Sequence, residues 1–165
     1  MYLSDATLSA VVLNSLDGYT EGVVDASRAT TLTGSVSALN LAYEHNSNTG
    51  IAGLGNEAVI LSDTSLVAAE LNTLDGYTSG QINASDATQI GGSIQAVVAA
   101  YEHNSSSGIA GLGNELVNLT DGTLAAATLN VLDGYTTSAV NAASVERITG
   151  LLEDVSKSYQ HNSPS

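Results

Sequence analysis

Apolar side chains return along this chain in two kinds of run. Leu66, Val67, Leu71 and Leu74 fall at helical spacing, and the same stripe stands at Leu8, Leu13, Leu16 and at Leu124, Leu129, Leu132. A second stripe, Ile94, Val97, Val98 and Tyr101, has counterparts in Val36, Leu39, Tyr43 and in Leu152, Val155, Tyr159. Between the stripes lie short runs of strand character, AVIL from Ala58 to Leu61 and Gln81-Ile82-Asn83. Ser62-Asp63 suits a helix start, and Asp75-Gly76 suits a helix end closed by a left-handed glycine. Ser85-Asp86 reads as a turn or cap, followed by a polar, Gly-containing connection to Ser93. HNSSSG then breaks the second helix, and GIAGLGNE reads as a Gly-rich turn leading to the next strand.

These stripes belong to one repeated unit. LDGYT begins at Leu16, Leu74 and Leu132, so 74 − 16 = 58 and 132 − 74 = 58. YEHNS begins at Tyr43 and Tyr101 and returns as YQHNS at Tyr159, while GIAGLGNE begins at Gly50 and Gly108. The chain therefore divides into repeats of about 3–60, 61–118 and 119–165 within a single domain. Each unit reads strand–helix–strand–helix. That order predicts an α/β solenoid with short parallel strands and right-handed crossovers. The alternative is an all-α repeat array, because VIL and QIN are too short to secure strands by pattern alone.

The last copy differs from the others in polarity. Ala96, Val98 and Ala99 become Asp154, Ser156 and Lys157, and Thr88-Gln89 becomes Glu146-Arg147. A stack needs polar outer faces, so these changes predict a C-terminal cap. The first copy changes less, with Arg28 in place of Asp86 and Asn40 in place of Val98, which leaves a face able to pair with another molecule.

Charge narrows the functions. The net charge is −14, with Arg28, Arg147 and Lys157 the only basic residues besides histidine. That excludes a basic footprint for nucleic acid and disfavours an anionic membrane surface. The sequence has no Cys, so neither a disulfide framework nor a Cys-based metal or redox site is expected. No apolar run is long enough to span a bilayer, and MYLSDATL has no signal-peptide character.

Candidate chemistry is repeated along with the fold. Asp17, Asp75 and Asp133 sit in LDG, where Asp-Gly forms turns; a row of such carboxylates is also a weak Ca²⁺ candidate, since calcium takes six to eight oxygens. His45, His103 and His161 stand where a helix C-terminus would favour them. Asn14, Asn72 and Asn130 suggest a ladder satisfying turn backbone. Tyr43, Tyr101 and Tyr159 complete the apolar face, whereas Tyr19, Tyr77 and Tyr135 form a candidate surface row for a glycan or protein. GIAGLGNE lacks the Lys of a phosphate loop. Asn83, Asn104 and Asn118 open weak glycosylation triplets. No acid, base and nucleophile stand apart from the repeat background, so an enzyme is not expected.

The segment LNTLDGYTSGQINASDATQIGGSIQAVVAAYEHNSSSGIAGLGNE, together with AVILSDTSL, resembles the tandem repeats of very large secreted or cell-surface proteins of marine cyanobacteria and related bacteria. LNxLDG also resembles segments of phage tail-fibre proteins. The first resemblance implies an adhesin-like or haemolysin-type array outside the cell. Such arrays bind calcium elsewhere, through a nonapeptide this chain lacks. The expectation is a non-catalytic, extracellular or cell-surface scaffold without a resident cofactor that self-associates end to end, with calcium-dependent adhesion or glycan binding as the alternative.

Overall fold

The computed structural model describes residues 1–47, 49–104 and 108–161. Its elements follow one another as β1 (Thr7–Ser9), α1 (Ala10–Gly18), β2 (Val24–Asp25), β3 (Thr31–Gly34), α2 (Val36–Glu44) and β4 (Ile51–Ala52). The order then recurs as β5 (Ala58–Leu61), β6 (Ser65–Val67), α3 (Ala68–Asp75), β7 (Ile82–Asn83), β8 (Gln89–Gly92), α4 (Ile94–Glu102) and β9 (Ile109–Ala110). A third round brings β10 (Leu116–Leu119), β11 (Thr123–Ala125), α5 (Ala126–Asp133), β12 (Val140–Asn141), β13 (Arg147–Thr149) and α6 (Leu152–His161).

Every pairing between these strands is parallel. Strands pair with ones further along the chain: Thr7 opposes Thr31, Thr31 opposes Ala58, Val59 opposes Ile82, and Ile82 opposes Ile109. The result is an open five-stranded sheet, β1-β3-β5-β7-β9, a four-stranded sheet, β12-β10-β8-β6, and two strand pairs, with no closed barrel among the described residues. The helices pack in chain order, α1 on α2 through to α5 on α6. The fold is mixed α/β, and the all-α alternative is overturned by these ladders.

Side chains alternate across the strands as a pleat requires. In β5, Val59 and Leu61 are buried while Ala58 and Ile60 face out. Leu32, Ile90, Val117, Ile82 and Ile109 fill the core together with Leu39, Leu71 and Val97 from the helices. The two-residue strands β2, β7 and β12 end on Asx turns, where a side-chain oxygen captures the amide two residues on. Ser27 N–H donates to Asp25, Ser85 N–H to Asn83 and Ala143 N–H to Asn141. At Asp25 the Ser27 hydroxyl and amide also hold the carboxyl below its usual range.

Several local expectations are corrected. Leu66 and Val67 lie in β6, and Leu8 and Leu124 in β1 and β11, rather than on the helix faces, because Leu66 pairs in register with Ile90, Leu8 with Leu32 and Leu124 with Ile148. Ladder pairing here outweighs a helical period that four residues share by coincidence. QIGG, read as part of a connection, is strand β8, and GIAG contains β9. Gly76 and Gly134 follow their helices with φ of −71° and −76°, so neither is left-handed. Asp63 does not cap α3, whose first turn has no side-chain cap. HNSSSG lies partly outside the described residues, as does the Asn104 triplet.

Asp63 instead reaches back one coil. Its Oδ2 accepts the Val36 N–H at 2.8 Å, and Asp121 accepts the Ile94 N–H at 2.8 Å. Ser35 and Ser93 cap the same helices from within, accepting from Ala38 N–H and Ala96 N–H. Two of the unpaired amides at each of these helix starts are thereby satisfied, one by the local chain and one by the following copy. The coils also meet where only glycine fits. Gly53 and Gly111 adopt φ of +90° and +95°, and a Cβ at either would lie within 2.8 Å of backbone atoms of Ser27 or Ser85.

Candidate functional site

The repeated polar side chains gather along the edges where one copy meets the next. Tyr43, on α2, donates its hydroxyl to Glu57 Oε2 at 3.0 Å, and Tyr101, on α4, donates to Glu115 Oε2 at 2.9 Å. Both glutamates are buried, at 1% and 0% exposure, within a core that is otherwise almost wholly apolar. Glu57 also accepts the Gly55 N–H at both carboxyl oxygens, at 2.8 and 3.2 Å. Glu115 accepts the Gly113 N–H at Oε2, while its Oε1 is buried without a hydrogen-bond partner. The Gly-Asn-Glu turn thus folds back on its own carboxyl group, and the tyrosine locks that turn to the preceding helix. Burial pushes the Tyr43 and Tyr101 phenols well above their ordinary range. Thr78 and Thr136 extend the lock to the next copy, donating their hydroxyls to the Glu57 and Glu115 carbonyls at 3.0 and 2.9 Å.

The Tyr19, Tyr77 and Tyr135 row is not uniform. Tyr77 stacks on Tyr43 with ring centroids 5.8 Å apart, and Tyr135 stacks on Tyr101 at 5.7 Å. These two rings are about one-third exposed, whereas Tyr19 is 86% exposed. The row therefore presents ring edges along much of its length, with one open ring at its start.

Asp17, Asp75 and Asp133 are each paired with a histidine. Asp17 Oδ2 lies 2.7 Å from His45 Nδ1, and Asp75 Oδ2 lies 2.6 Å from His103 Nδ1. Asp133 and His161 form the third pair. Each joins the end of one helix to the end of the next, because His45 and His103 cap helices that pack on those ending at Asp17 and Asp75. The histidines are about half exposed, so the pairs are worth at most about 1 kcal/mol each in water. Sequence placed these six residues at helix ends correctly but did not couple them; the constant offset from Asp to His was the available signal. Among the described residues, no group of three or more His, Cys, Asp or Glu side chains is arranged to hold a metal ion.

Asn14, Asn72 and Asn130 lie inside helices rather than in turns. Their amides donate to the carbonyls of Ala38, Ala96 and Asp154 at 2.9, 2.9 and 3.0 Å, tying each helix to the one packed against it. Glu57 and Glu115 are the structural residues that sequence reasoning missed. Both lay in view within GLGNE, and a buried carboxyl is rarely inferred from pattern because acidic side chains are ordinarily solvated.

No protein-family model matches the chain, and neither does any curated protein or solved structure. No helix among the described residues is long and apolar enough to cross a membrane.

Proposed function

We propose that the chain is a non-catalytic scaffold: a solenoid of three units at a 58-residue period, whose function is reach and stiffness. The observation carrying this reading is that the specific polar contacts recur at the repeat period and join successive coils. Tyr77 stacks on Tyr43, Asp63 caps α2, and Thr78 of one copy donates to the Glu57 carbonyl of the copy before it at 3.0 Å, and each contact returns 58 residues on. Each has the form of a stacking contact, satisfied only when a neighbouring coil is present. Polar side chains that a lone unit would leave unpaired are consumed by its neighbour, which favours a continuous stack over independent beads.

An extracellular or cell-surface setting is part of the proposal and rests on the resemblance of the LNTLDG and GLGNE segments to tandem repeats of large secreted proteins. The acidic surface suits a rod that must remain soluble. The decisive experiment removes one unit. A variant lacking residues 61–118, with Ile60 joined to Leu119, should retain a folded far-ultraviolet circular dichroism spectrum and melt cooperatively. A random-coil spectrum would remove the scaffold reading. Electron microscopy of the intact chain distinguishes single rods from filaments.

A further inference from the structure

The repeat supplies its own reference. A side chain that returns 58 positions on serves the stack, whereas one that does not return is free to serve something else. Asn40, Leu41 and Glu70 do not return: one repeat later their places are taken by Val98, Ala99 and Thr128. All three line one groove of about 850 Å³, formed by α1, α2 and α3. Helices α1 and α3 both pack on α2, and the groove runs over α2 between them, from Ser35 to Glu44. Its size suits a small organic molecule, since ligand pockets span about 300–1,000 Å³.

Asn40 sets the geometry of the groove. Its Nδ2 donates to the Glu70 carbonyl at 3.1 Å, which holds the first turn of α3 against α2. Its Oδ1 is buried without a hydrogen-bond partner, and such an acceptor calls for a donor. Glu44 follows Asn40 by four residues, so the two share a face of α2 about 6 Å apart along its axis. Glu44 and Glu70 thus bring two carboxylates to one groove, and among the described residues no basic side chain lines it. Apolar surface lies beside them, with Val11 58% and Leu41 42% exposed. Acceptors beside an apolar wall, in a chain of net charge −14, match a ligand that is cationic at intervals and apolar between.

We propose that this groove binds a linear aliphatic polyamine. One ammonium group donates to the Glu44 carboxylate and a second to the Glu70 carboxylate, as charge-assisted hydrogen bonds. An ammonium carries three donors and no acceptor, so it meets a groove rich in acceptors without leaving a lone pair of its own unpaired. The methylene run between the two cations covers Val11 and Leu41 and removes their apolar surface from water. A bare divalent cation offers equal charge and no such run. The site is formed within the chain by three helices of its first two copies and does not depend on the array reading above.

The test is calorimetry of the 165-residue chain with spermidine, at about 0.15 M ionic strength, where exposed charges more than about 8 Å apart are screened. One saturable site is expected, with amide chemical-shift changes centred on α2 and the first turn of α3. Glu70→Thr, Asn40→Val and Leu41→Ala install the residues of the next repeat, which α5 and α4 carry as helices, so each variant should keep the parent circular dichroism spectrum. Glu70→Thr should weaken binding about tenfold, the value of one hydrogen bond to a charged group. Leu41→Ala should weaken it about threefold through lost apolar contact. Magnesium chloride at matched charge should leave spermidine bound. Equal affinity of the parent and Glu70→Thr would overturn the proposal, as would displacement by magnesium or no binding at millimolar spermidine to a chain shown to be folded. Shift changes spread over acidic residues of all three copies would mean diffuse counterion association, and would overturn it too.

Discussion

Replacing Tyr101 with Phe removes one oxygen from the interior and keeps the ring that stacks under Tyr135. The lost group is the donor to Glu115 Oε2 at 2.9 Å. Glu115 is fully buried, its Oε1 is already without a partner, and after the change only the Gly113 N–H remains among its direct bonds. A buried acceptor stripped of a partner costs about 1–3 kcal/mol. Water cannot easily repair the loss, because the site lies beneath the stacked rings. Tyr101→Phe should therefore destabilise the chain by about 2 kcal/mol. Tyr43→Phe should cost less, since Glu57 keeps contacts from the Gly55 N–H at both oxygens. Tyr159→Phe supplies the reference, because Tyr159 is 63% exposed and a surface change of this kind stays within about 0.5 kcal/mol. Urea denaturation followed by far-ultraviolet circular dichroism measures all three at unchanged slope. Should Tyr101→Phe fall no further than Tyr159→Phe, the buried carboxyl would not lock the Gly-Asn-Glu turn to the helix before it.

Three more outcomes can be checked. Asp121→Ala removes the cap that the third copy places on α4 and should cost about 1 kcal/mol, whereas Asp75→Asn, which weakens a pairing to a half-exposed histidine, should cost less than about 0.5 kcal/mol; thermal melts rank the two, and the reverse order would contradict the burial argument. Gly111→Ala forces a Cβ within 2.8 Å of Ser85 backbone atoms at φ +95° and should cost at least about 1–3 kcal/mol, read as a lower urea midpoint. In alkaline titration, Tyr43 and Tyr101 should ionise at higher pH than an ordinary tyrosine. Because their folded-state values lie above the unfolded value, the stability they contribute is fully present below about pH 10 and is lost as pH rises beyond it; phenolate absorbance rising in step with unfolding would show this, and seven superimposed titrations would refute it.

Sequence alone determined the unit and its count, because identical landmarks at a constant offset need no structure to be seen. It also located the second helical stripe, the later residues of the first, and the AVIL and QIN strands, since period and β-branched content are local properties. It set six of the recurring polar residues at helix ends. What it could not supply was every partner lying a coil away. TLTG and QIGG became strands only because neighbouring ladders supplied their hydrogen bonds, and Leu66 left the helix for the same reason. Asp63 looked like a cap for the helix after it and serves the helix before it. Glu57 and Glu115 looked solvated, and tertiary packing closed a tyrosine over each. Local spacing is written within one turn of chain, whereas burial and pairing in this molecule are settled between residues 14 to 34 positions apart, which only the tertiary structure brings together.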